Sequence, residues 1–301
     1  MNTGPAATPF VDRRQVARRF ARAAANYPAG DFLAREIDRR MAERLDYVRL
    51  TPQRILDLGC SRGGSFAALQ ARYPTARLHA LDLVAPMLQG MAQEPAGWRR
   101  WLGRTAPGPV PVQADAQMLP FREASFDLIW SNLLLHWLDH PLPAFREAQR
   151  SLSSGGLFMF STLGPDTLRE LRAAFADGDA HTQRFTDMHD LGDMLLEAGF
   201  ADPVVDMETI TLTYDTLDAL FADLRAAGSS CAMLARRQGI LTPRRLSEVR
   251  AAYDSLRKDG KLPATFEVVY GHAWKGEGKA VASRGTQGSD KVIRFMSREA
   301  R

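Results

Sequence analysis

A glycine-bearing turn directly follows a short apolar strand in residues 54–64, which read Arg-Ile-Leu-Asp-Leu-Gly-Cys-Ser-Arg-Gly-Gly. Glycine lets a ligand approach the main chain closely and accepts a positive φ without strain. The pattern differs from the G-x-G-x-x-G turn that binds dinucleotides, because Ser61 stands at the position of its second glycine. Asp57 precedes the turn, and a carboxylate favours a positively charged ligand over a phosphate. Unless the turn is purely structural, it predicts a nucleoside-type ligand with a cationic group, such as S-adenosylmethionine.

Polar residues also follow three further predicted strands, at the point where each strand ends. The strands cover residues 77–82, 109–114 and 125–130, and the residues at their ends are Asp82, Asp115 with Ala116, and Ser131 with Asn132. Open α/β sheets bind their ligands at the carboxyl ends of strands. Asp82 lies 25 residues after Asp57, close to the interval at which such proteins hold two ribose hydroxyls with a carboxylate. Each acid alone is compatible with a helix cap, but four such strand ends together predict a ligand site.

Helical patterns alternate with these strands, which predicts a parallel sheet with helices on its faces. Further strands are predicted at 157–162, 203–214 and 265–274, and helices at 11–26, about 30–47, 65–72, 86–93, 142–152, about 165–176 and 188–198. Residues 216–261 form helices broken at Gly228 and near 239–243, an insertion that we expect to cap the ligand edge. We expect three parts: a helical lid at 1–48, an α/β domain at 49–275 that carries the cap, and a flexible tail at 276–301.

The composition is that of an ordinary globular protein of 301 residues, with 45% hydrophobic and 25% charged residues. No apolar stretch is long enough for a bilayer and no secretion signal opens the chain, so we expect a cytoplasmic protein. Two cysteines and six scattered histidines match no ligand spacing, so we expect no metal. A formal net charge of +4 suits an acidic partner, but zinc-finger and RNP-type motifs are lacking, so we expect neither nucleic acid nor membrane.

The turn, the three strand ends and Gly155-Gly156 together resemble the class I S-adenosylmethionine-dependent methyltransferases, over roughly residues 50–163. The resemblance implies a Rossmann-like sheet of seven strands in the order 3-2-1-4-5-7-6, with the last strand antiparallel, and S-adenosylmethionine as the cofactor. The residues that match the cofactor site are Asp57, Gly59, Cys60, Ser61, Gly63, Asp82, Leu83, Asp115, Ala116 and Asn132. In such a site Asp57 would hold the methionine ammonium, Asp82 the ribose and Asp115 the adenine amine.

A longer set of segments resembles one family of these enzymes, the malonyl-acyl carrier protein O-methyltransferases of biotin synthesis. The segments cover residues 20–27, 131–137, 161–172, 187–193 and 263–274. The resemblance implies methylation of the free carboxylate of malonyl-acyl carrier protein, an acidic carrier, to start pimeloyl chain synthesis. It implies a reaction chamber formed by Tyr27, Asn132, His136 and Trp137. A structural role is the alternative for His136 and core packing for Trp137. A carboxylate is already a nucleophile at neutral pH, so the chamber has to position the reactants rather than supply a base.

Arginines are the candidates for docking the anionic acyl group and its acidic carrier. They are Arg18, Arg19 and Arg22 in the first helix and Arg169, Arg172 and Arg225 further along the chain. The alternative is that they form ion pairs with neighbouring acids, as the adjacent Arg169 and Glu170 suggest, or a solvated helix face.

Three other functions stay open at this stage. Residues 166–172 and 263–265 also resemble accessory factors that hydroxylate an arginine during assembly of respiratory complex I. An assembly protein that binds the cofactor without turnover would share the glycine turn. A methyltransferase that acts on RNA or on small molecules would share it too.

Overall fold

The computed structural model of the chain describes residues 10–89, 91 and 108–276. The tail predicted at 276–301 lies, apart from its first residue, outside the described residues, as does part of the helix predicted at 86–93. Within the described ranges, no helix combines the length and the apolar character needed to cross a bilayer.

Seven strands of the described chain form one sheet in the order β3-β2-β1-β4-β5-β7-β6. The strands are β1 Arg54–Leu58, β2 Arg77–Asp82, β3 Val110–Gln113, β4 Phe126–Asn132, β5 Leu152–Leu163, β6 Ala201–Tyr214 and β7 Leu262–Trp274. The pairs among β1 to β5 are parallel, whereas β7 is antiparallel to both β5 and β6. The predicted strand order and antiparallel last strand are thus confirmed.

Helices cover both faces of the sheet, because its central strands are apolar on both sides. The helices are Arg13–Ala23, Tyr27–Gly30, Phe32–Arg44, Phe66–Arg72, Ala85–Leu88, Leu142–Ser151, Arg169–Phe175, Met188–Glu197, Leu217–Ala226 and Pro243–Asp254, with 3₁₀ turns at Leu45–Tyr47 and Leu135–Trp137. In β1, Ile55 belongs to the core that contains Ile37 and Tyr253, and Leu56 belongs to the core that contains Phe145. Burial of both faces holds β1 rigidly at the centre of the sheet.

The predicted N-terminal helices are shorter than expected. The first helix ends at Ala23 rather than at 26, and the stretch predicted as one helix at 30–47 is divided. Pro28 favours the start of a separate turn at Tyr27–Gly30, and Asp31 then leaves the helical conformation with a ψ of 8°.

Two boundaries after β4 also differ from the prediction. β5 begins at Leu152 rather than at 157, because Leu152 pairs with Phe126 before a register shift in the strand pair. The helix predicted at 165–176 begins only at Arg169, since Leu168 has a φ of 55°, which an α-helix excludes.

The N-terminal helix lies between the sheet edge and the insertion that follows β6. Asp12 caps its first turn by accepting a hydrogen bond from the Gln15 N–H at 2.9 Å, and Val16 and Ala23 are buried. The Asp12 N–H donates to the Ala232 carbonyl of the insertion at 2.8 Å. The helix is therefore tied by its backbone to the segment that was predicted to cap the site.

The insertion forms two helices, as predicted, each started by a threonine. The side chains of Thr216 and Thr242 accept hydrogen bonds from N–H groups of the first turn. The helix Leu217–Ala226 packs closely against the turn Tyr27–Gly30: a Cβ on Gly30 would lie 2.6 Å from the Ala227 nitrogen. Glycine at this position lets the two backbones touch.

Candidate active site

One cavity of about 360 Å³ lies at the carboxyl ends of β1, β2 and β4. We call one part of its wall the strand side, which consists of Gly59, Ser61, Asp82, Leu83, Asp115 and Ala116. We call the opposite part the cap side, which consists of Gln183, Phe221, Leu224, Arg225, Ser229 and Cys231. The N-terminal helix and the 3₁₀ turn at Leu135–Trp137 contribute the wall between them.

Backbone hydrogen bonds hold the turn after β1 against β2. The N–H groups of Gly59 and Cys60 both donate to the Leu81 carbonyl, at 2.8 and 3.0 Å. Gly59 has a φ of 79°, and Ser61 has a φ of 46°. A left-handed conformation costs a residue with a Cβ about 1–2 kcal/mol. Ser61 therefore keeps the turn in the shape that glycine would adopt without strain.

Asp82 reaches the cavity from the end of β2 and is 9% exposed. Its carboxylate accepts hydrogen bonds from the Ser61 N–H at 3.0 Å and the Val84 N–H at 2.8 Å. Burial raises the pKa of Asp82 above its ordinary value. A carboxylate offers about four acceptor positions, so Asp82 keeps acceptor capacity for the hydroxyl groups of a ligand.

Three residues that were predicted to touch the ligand do not line the cavity. Asp57 is 2% exposed and lies beneath the turn, where the Ser65 hydroxyl donates to it. Burial raises the pKa of Asp57 to about 8, so its carboxyl is largely protonated at neutral pH. Cys60 is buried, and a Cβ on Gly63 would lie 2.4 Å from the Phe66 ring. Asp57, Cys60 and Gly63 thus shape the turn from behind, and the cofactor contacts predicted for them stay predictions.

The other predicted strand-end residues do line the cavity, namely Leu83, Asp115 and Ala116. Asp115 accepts a hydrogen bond from the Gln117 N–H at 3.0 Å and forms an ion pair with Arg13. This pair joins the N-terminal helix to the strand side. The adenine contact predicted for Asp115 stays a prediction.

Asn132 lies on the cavity wall at the end of β4, with its side-chain amide held from both sides. The amide nitrogen donates to the Ala34 carbonyl at 2.8 Å, and the amide oxygen accepts from the Ser161 hydroxyl at 2.7 Å. These two contacts fix the orientation of the amide and use one of its two N–H donors.

His136 and Trp137 lie in the 3₁₀ turn and line the cavity, as expected for residues of the reaction chamber. His136 is buried, its Nδ1 lies 3.3 Å from the Thr162 hydroxyl, and burial lowers its pKa to about 3. The imidazole is therefore neutral at physiological pH. Trp137 packs edge to face on Phe20 of the N-terminal helix, with ring centroids 5.1 Å apart. Both side chains combine a packing role with a position on the wall.

Tyr27 also lies on the cavity wall, in the short turn after the N-terminal helix. Burial raises the pKa of its hydroxyl, the carboxylates of Asp31 and Asp82 raise it further, and a hydrogen bond with the Ser61 side chain opposes them. Tyr27 is therefore protonated at neutral pH. Its role as a lid residue stays a prediction.

Two of the predicted docking arginines are already engaged within the fold. Arg169 forms ion pairs with Asp166 at 3.2 Å and with Glu170 at 3.7 Å. Arg172 donates to the backbone carbonyls of Thr167 and Pro165, and burial lowers its pKa. Neither guanidinium lines the main cavity, so the ion-pair alternative is favoured for Arg169 and a structural role for Arg172.

The remaining arginines differ in what they reach. Arg19 donates to the Cys231 carbonyl and so joins the N-terminal helix to the insertion. Arg18 and Arg22 are exposed on the face opposite the buried Val16, together with Arg14 four residues before Arg18. Arg225 is exposed but lines the cavity from the cap side, and none of the hydrogen bonds or ion pairs among the described residues involves its guanidinium.

Sequence reasoning missed two wall residues that have unpartnered buried atoms. Asp31 Oδ1 is buried and accepts no hydrogen bond in the described chain, although Arg35 Nε lies 2.9 Å away. Gln183 Nε2 is buried and has no acceptor among the described residues. Both stand in loops without a motif, so no signal in one sequence marks them; only the fold brings them to the cavity.

One cluster resembles a cation site, made by Asp177, Asp179 and His181, whose ligand atoms lie within 4.8 Å of one another. Arg245 lies 3.5 Å from Asp177, and Arg237 lies 3.8 Å from Asp179. His181 is hydrogen-bonded to Asp177 at 2.7 Å. Because two guanidinium groups already balance the two carboxylates, we assign no metal to this cluster.

Comparisons with known proteins agree with this architecture. The profile of a methyltransferase domain family matches residues 56–160, which include β1, the glycine turn and β4. A proposed methyltransferase of Bacillus halodurans has the same fold, with a TM-score of 0.54 and 18% identity over 79% of this chain and 99% of that chain. The YcgJ protein of Bacillus subtilis superimposes with a TM-score of 0.52, at 17% identity over 79% of this chain and 98% of that chain. The fold and the strand-side site define a class I methyltransferase.

Curated relatives match almost the full chain. The malonyl-[acyl-carrier protein] O-methyltransferase of Gallionella capsiferriformans is 45% identical over 88% of this chain and 91% of its own length. That of Methylovorus sp. is 45% identical over 92% of this chain and 93% of its own, and that of Halorhodospira halophila is 46% identical over 91% of both. The chain belongs to the family of malonyl-[acyl-carrier protein] O-methyltransferases.

Proposed function

We propose that this enzyme transfers a methyl group from S-adenosylmethionine to the free carboxylate of malonyl-acyl carrier protein. The observation that carries the proposal is one cavity with carboxylates on its strand side, an arginine on its cap side and, between them, the neutral side chains of His136 and Tyr27. The methyl ester removes the charge of the free carboxylate, so that fatty-acid elongation can accept the acyl group and build a pimeloyl chain for biotin.

The strand side fits a cationic nucleoside. Asp82 and Asp115 stand at successive strand ends with acceptor capacity, and Asp31 adds a buried oxygen that lies 2.9 Å from Arg35 Nε. In this assignment Asp82 holds the ribose and Asp115 the adenine amine, while Asp31 lies on the wall beside Tyr27. Asp115 and Asp31 pair with Arg13 and Arg35, whereas none of the ion pairs among the described residues involves Asp82, so Asp82 is the carboxylate that favours positive charge on the ligand.

The middle of the cavity fits an acceptor that is already ionised. His136 has a pKa of about 3 and is too weak a base to take a proton from a hydroxyl group, and Tyr27 is protonated. A carboxylate with an ordinary pKa near 4 is anionic at neutral pH and needs no base. When bound, S-adenosylmethionine supplies a methyl group that leaves its bonding electrons on sulfur, so transfer to a carboxylate moves no proton.

The protein then contributes position and the exclusion of water. Phe20, Trp137, Phe221 and Leu224 close the cavity with apolar surface, and Arg225 balances the negative charge of the acceptor at the cap side. Residues 10–48 act as the lid and residues 216–261 as the cap in this proposal. The contacts of Asp12 and Arg19 with the insertion support a closure that involves both.

The test is to incubate the purified protein with S-adenosylmethionine labelled in its methyl group and with malonyl-acyl carrier protein. We expect a labelled, base-labile methyl ester on the carrier. Acetyl-acyl carrier protein is the matched control, since it lacks the free carboxylate and should acquire no label. Growth without biotin should return to a strain that lacks its own enzyme of this family. Label on RNA or on free arginine, with none on the malonyl carrier, would contradict the proposal.

A further inference from the structure

We propose that Gln183 positions the acyl group of the acceptor, by donating a hydrogen bond from Nε2 to the carboxylate that receives the methyl group. The inference rests on the proposed function and assigns a specificity-determining residue to the same cavity. Six buried side-chain atoms in the described chain have no hydrogen-bond partner, and two of them, Asp31 Oδ1 and Gln183 Nε2, belong to residues on the cavity wall.

The orientation of the Gln183 amide is determined by its other end. Oε1 accepts a hydrogen bond from the Ala232 N–H at 2.8 Å. A flipped amide would place two donors face to face, so the nitrogen has to be the atom without a partner. Gln183 is 7% exposed, and a buried donor without an acceptor costs about 1–3 kcal/mol. A bound acceptor oxygen removes this cost.

The segment that carries Gln183 is held rigidly against the insertion. The Ala180 N–H donates to the Ala235 carbonyl at 3.1 Å, and Cys231 Sγ lies 3.2 Å from the Thr182 carbonyl. On the other side of Gln183, the Arg184 N–H donates to Met233 Sδ at 3.4 Å, so the backbone that carries Gln183 is held before and after it. A donor that is fixed before the ligand arrives loses little entropy on binding.

The position within the cavity agrees with the acyl end of the acceptor. Phe185, two residues after Gln183, packs on His136 with ring centroids 6.0 Å apart. Trp137 packs in one apolar cluster with Ala232, whose N–H holds the Gln183 amide. Gln183 therefore lies in the same part of the wall as the two chamber residues, where the proposed function places the acceptor.

A glutamate at this position distinguishes the bond that Oε1 accepts from Ala232 from the bond that Nε2 is proposed to donate to the acceptor. Gln183→Glu keeps an oxygen for the Ala232 N–H but replaces the free donor with a second acceptor, which repels a carboxylate. Gln183→Met keeps the length of the side chain and removes both hydrogen bonds. Gln238→Glu makes the same chemical change on an exposed residue and serves as the control. Each is assayed from about pH 6 to 9, because burial raises the pKa of a carboxyl and the introduced group repels the acceptor only once it is ionised.

We expect Gln183→Glu to raise the KM for malonyl-acyl carrier protein about tenfold or more, at least as much as Gln183→Met does, with cofactor affinity unchanged. Inhibition by acetyl-acyl carrier protein should stay as it is, because that competitor has no carboxylate. If Gln183→Met lowers the Tm, the inference is tested by the KM of Gln183→Glu alone.

Two results overturn the inference. One is a KM within twofold of the unmodified enzyme in Gln183→Glu, which would leave the amide only its bond to Ala232. The other is an equal loss of affinity for the acetyl carrier, which would place the amide against the carrier arm. If the unmodified enzyme itself fails to methylate the malonyl carrier, the proposed function fails first, and the two failures are thereby distinguished.

Discussion

The strand side and the cap side of the cavity are built in different ways. The strand side comes from residues at the ends of consecutive strands, so its members lie next to a local pattern and were found from it. The cap side comes from loops and helices that follow much later in the chain, after β5 and β6. Its important atoms, such as Gln183 Nε2, are recognised only by their burial and missing partners. A cofactor site shared by many enzymes thus rests on local sequence, whereas the acceptor site rests on long-range packing.

Removal of residues 1–28 should have the largest effect, and it should impair methyl transfer far more than cofactor binding. It deletes Val16, Phe20 and Tyr27 from the wall and the backbone bond to Ala232. We expect methyl transfer to fall by about a hundredfold or more, since position and water exclusion are lost, while cofactor affinity changes far less. Ester formation and calorimetric cofactor binding measure the two effects. A truncated enzyme that works at full rate would show that the segment is not a lid.

Asp82→Ala should damage the strand side alone. The substitution leaves the ribose hydroxyls and the Ser61 and Val84 N–H groups without their acceptor, which should weaken cofactor binding by about 1–3 kcal/mol. The KM for the carrier should change little. Asp193→Ala, at an exposed position, is the control. Calorimetry that finds equal affinity in both variants would remove Asp82 from the site.

Asp57→Asn should change how the free energy of unfolding depends on pH, because Asp57 is buried beneath the strand side. Burial raises the pKa of Asp57 in the folded protein to about 8, above the ordinary value of 3.8. The folded state therefore holds the proton more tightly, and stability is lost as the pH rises from about 4 to 8. Asparagine keeps an acceptor for Ser65 and does not titrate. The gain of the variant without cofactor over the unmodified protein should therefore increase by a few kcal/mol, on the order of 1 kcal/mol per pH unit, between about pH 5 and pH 8.

Urea unfolding of both proteins at the two pH values measures this difference. Asp38 shares the trend, because burial raises its pKa to about 6, but it is common to both proteins and cancels. Identical pH slopes would mean that Asp57 is ionised in the fold, and would restore it as a candidate partner of the ammonium group.

Charge reversal of Arg18 and Arg22 should have the smallest effect, on the approach of the carrier to the cap side. Both are exposed on one face of the N-terminal helix, so Arg18→Glu with Arg22→Glu should slow association a few-fold at low salt. The effect should vanish near 300 mM salt, where charges are screened over about 5 Å, and cofactor binding should not respond. Arg77→Glu, exposed at the opposite end of β2, is the control. An equal effect of the control would refute a docking role.

The fold was predictable because its signals are local and redundant. Each parallel strand is a short apolar run followed by a turn, and helices separate them, so the order of the sheet followed from the family resemblance and was confirmed. Boundaries were missed where one residue overrides a pattern, as at Pro28 and Leu168. Among the predicted site residues, Asp57 lies buried beneath its turn rather than on the cavity wall. A sequence shows that a carboxylate precedes the glycines, but not whether it faces the ligand or the core.

By itself, the sequence determined the sheet, the glycine turn, the strand-end acids and the family, because each depends on neighbours within a few residues or on long shared segments. Only the tertiary structure decided which polar atoms stay without a partner, which arginines are engaged and which histidine is neutral. Those properties depend on burial and on contacts between distant segments, as when the Ala232 N–H holds Gln183 and the Cys231 carbonyl engages Arg19. Desolvation is a property of the packed molecule, and no local pattern of residues encodes it.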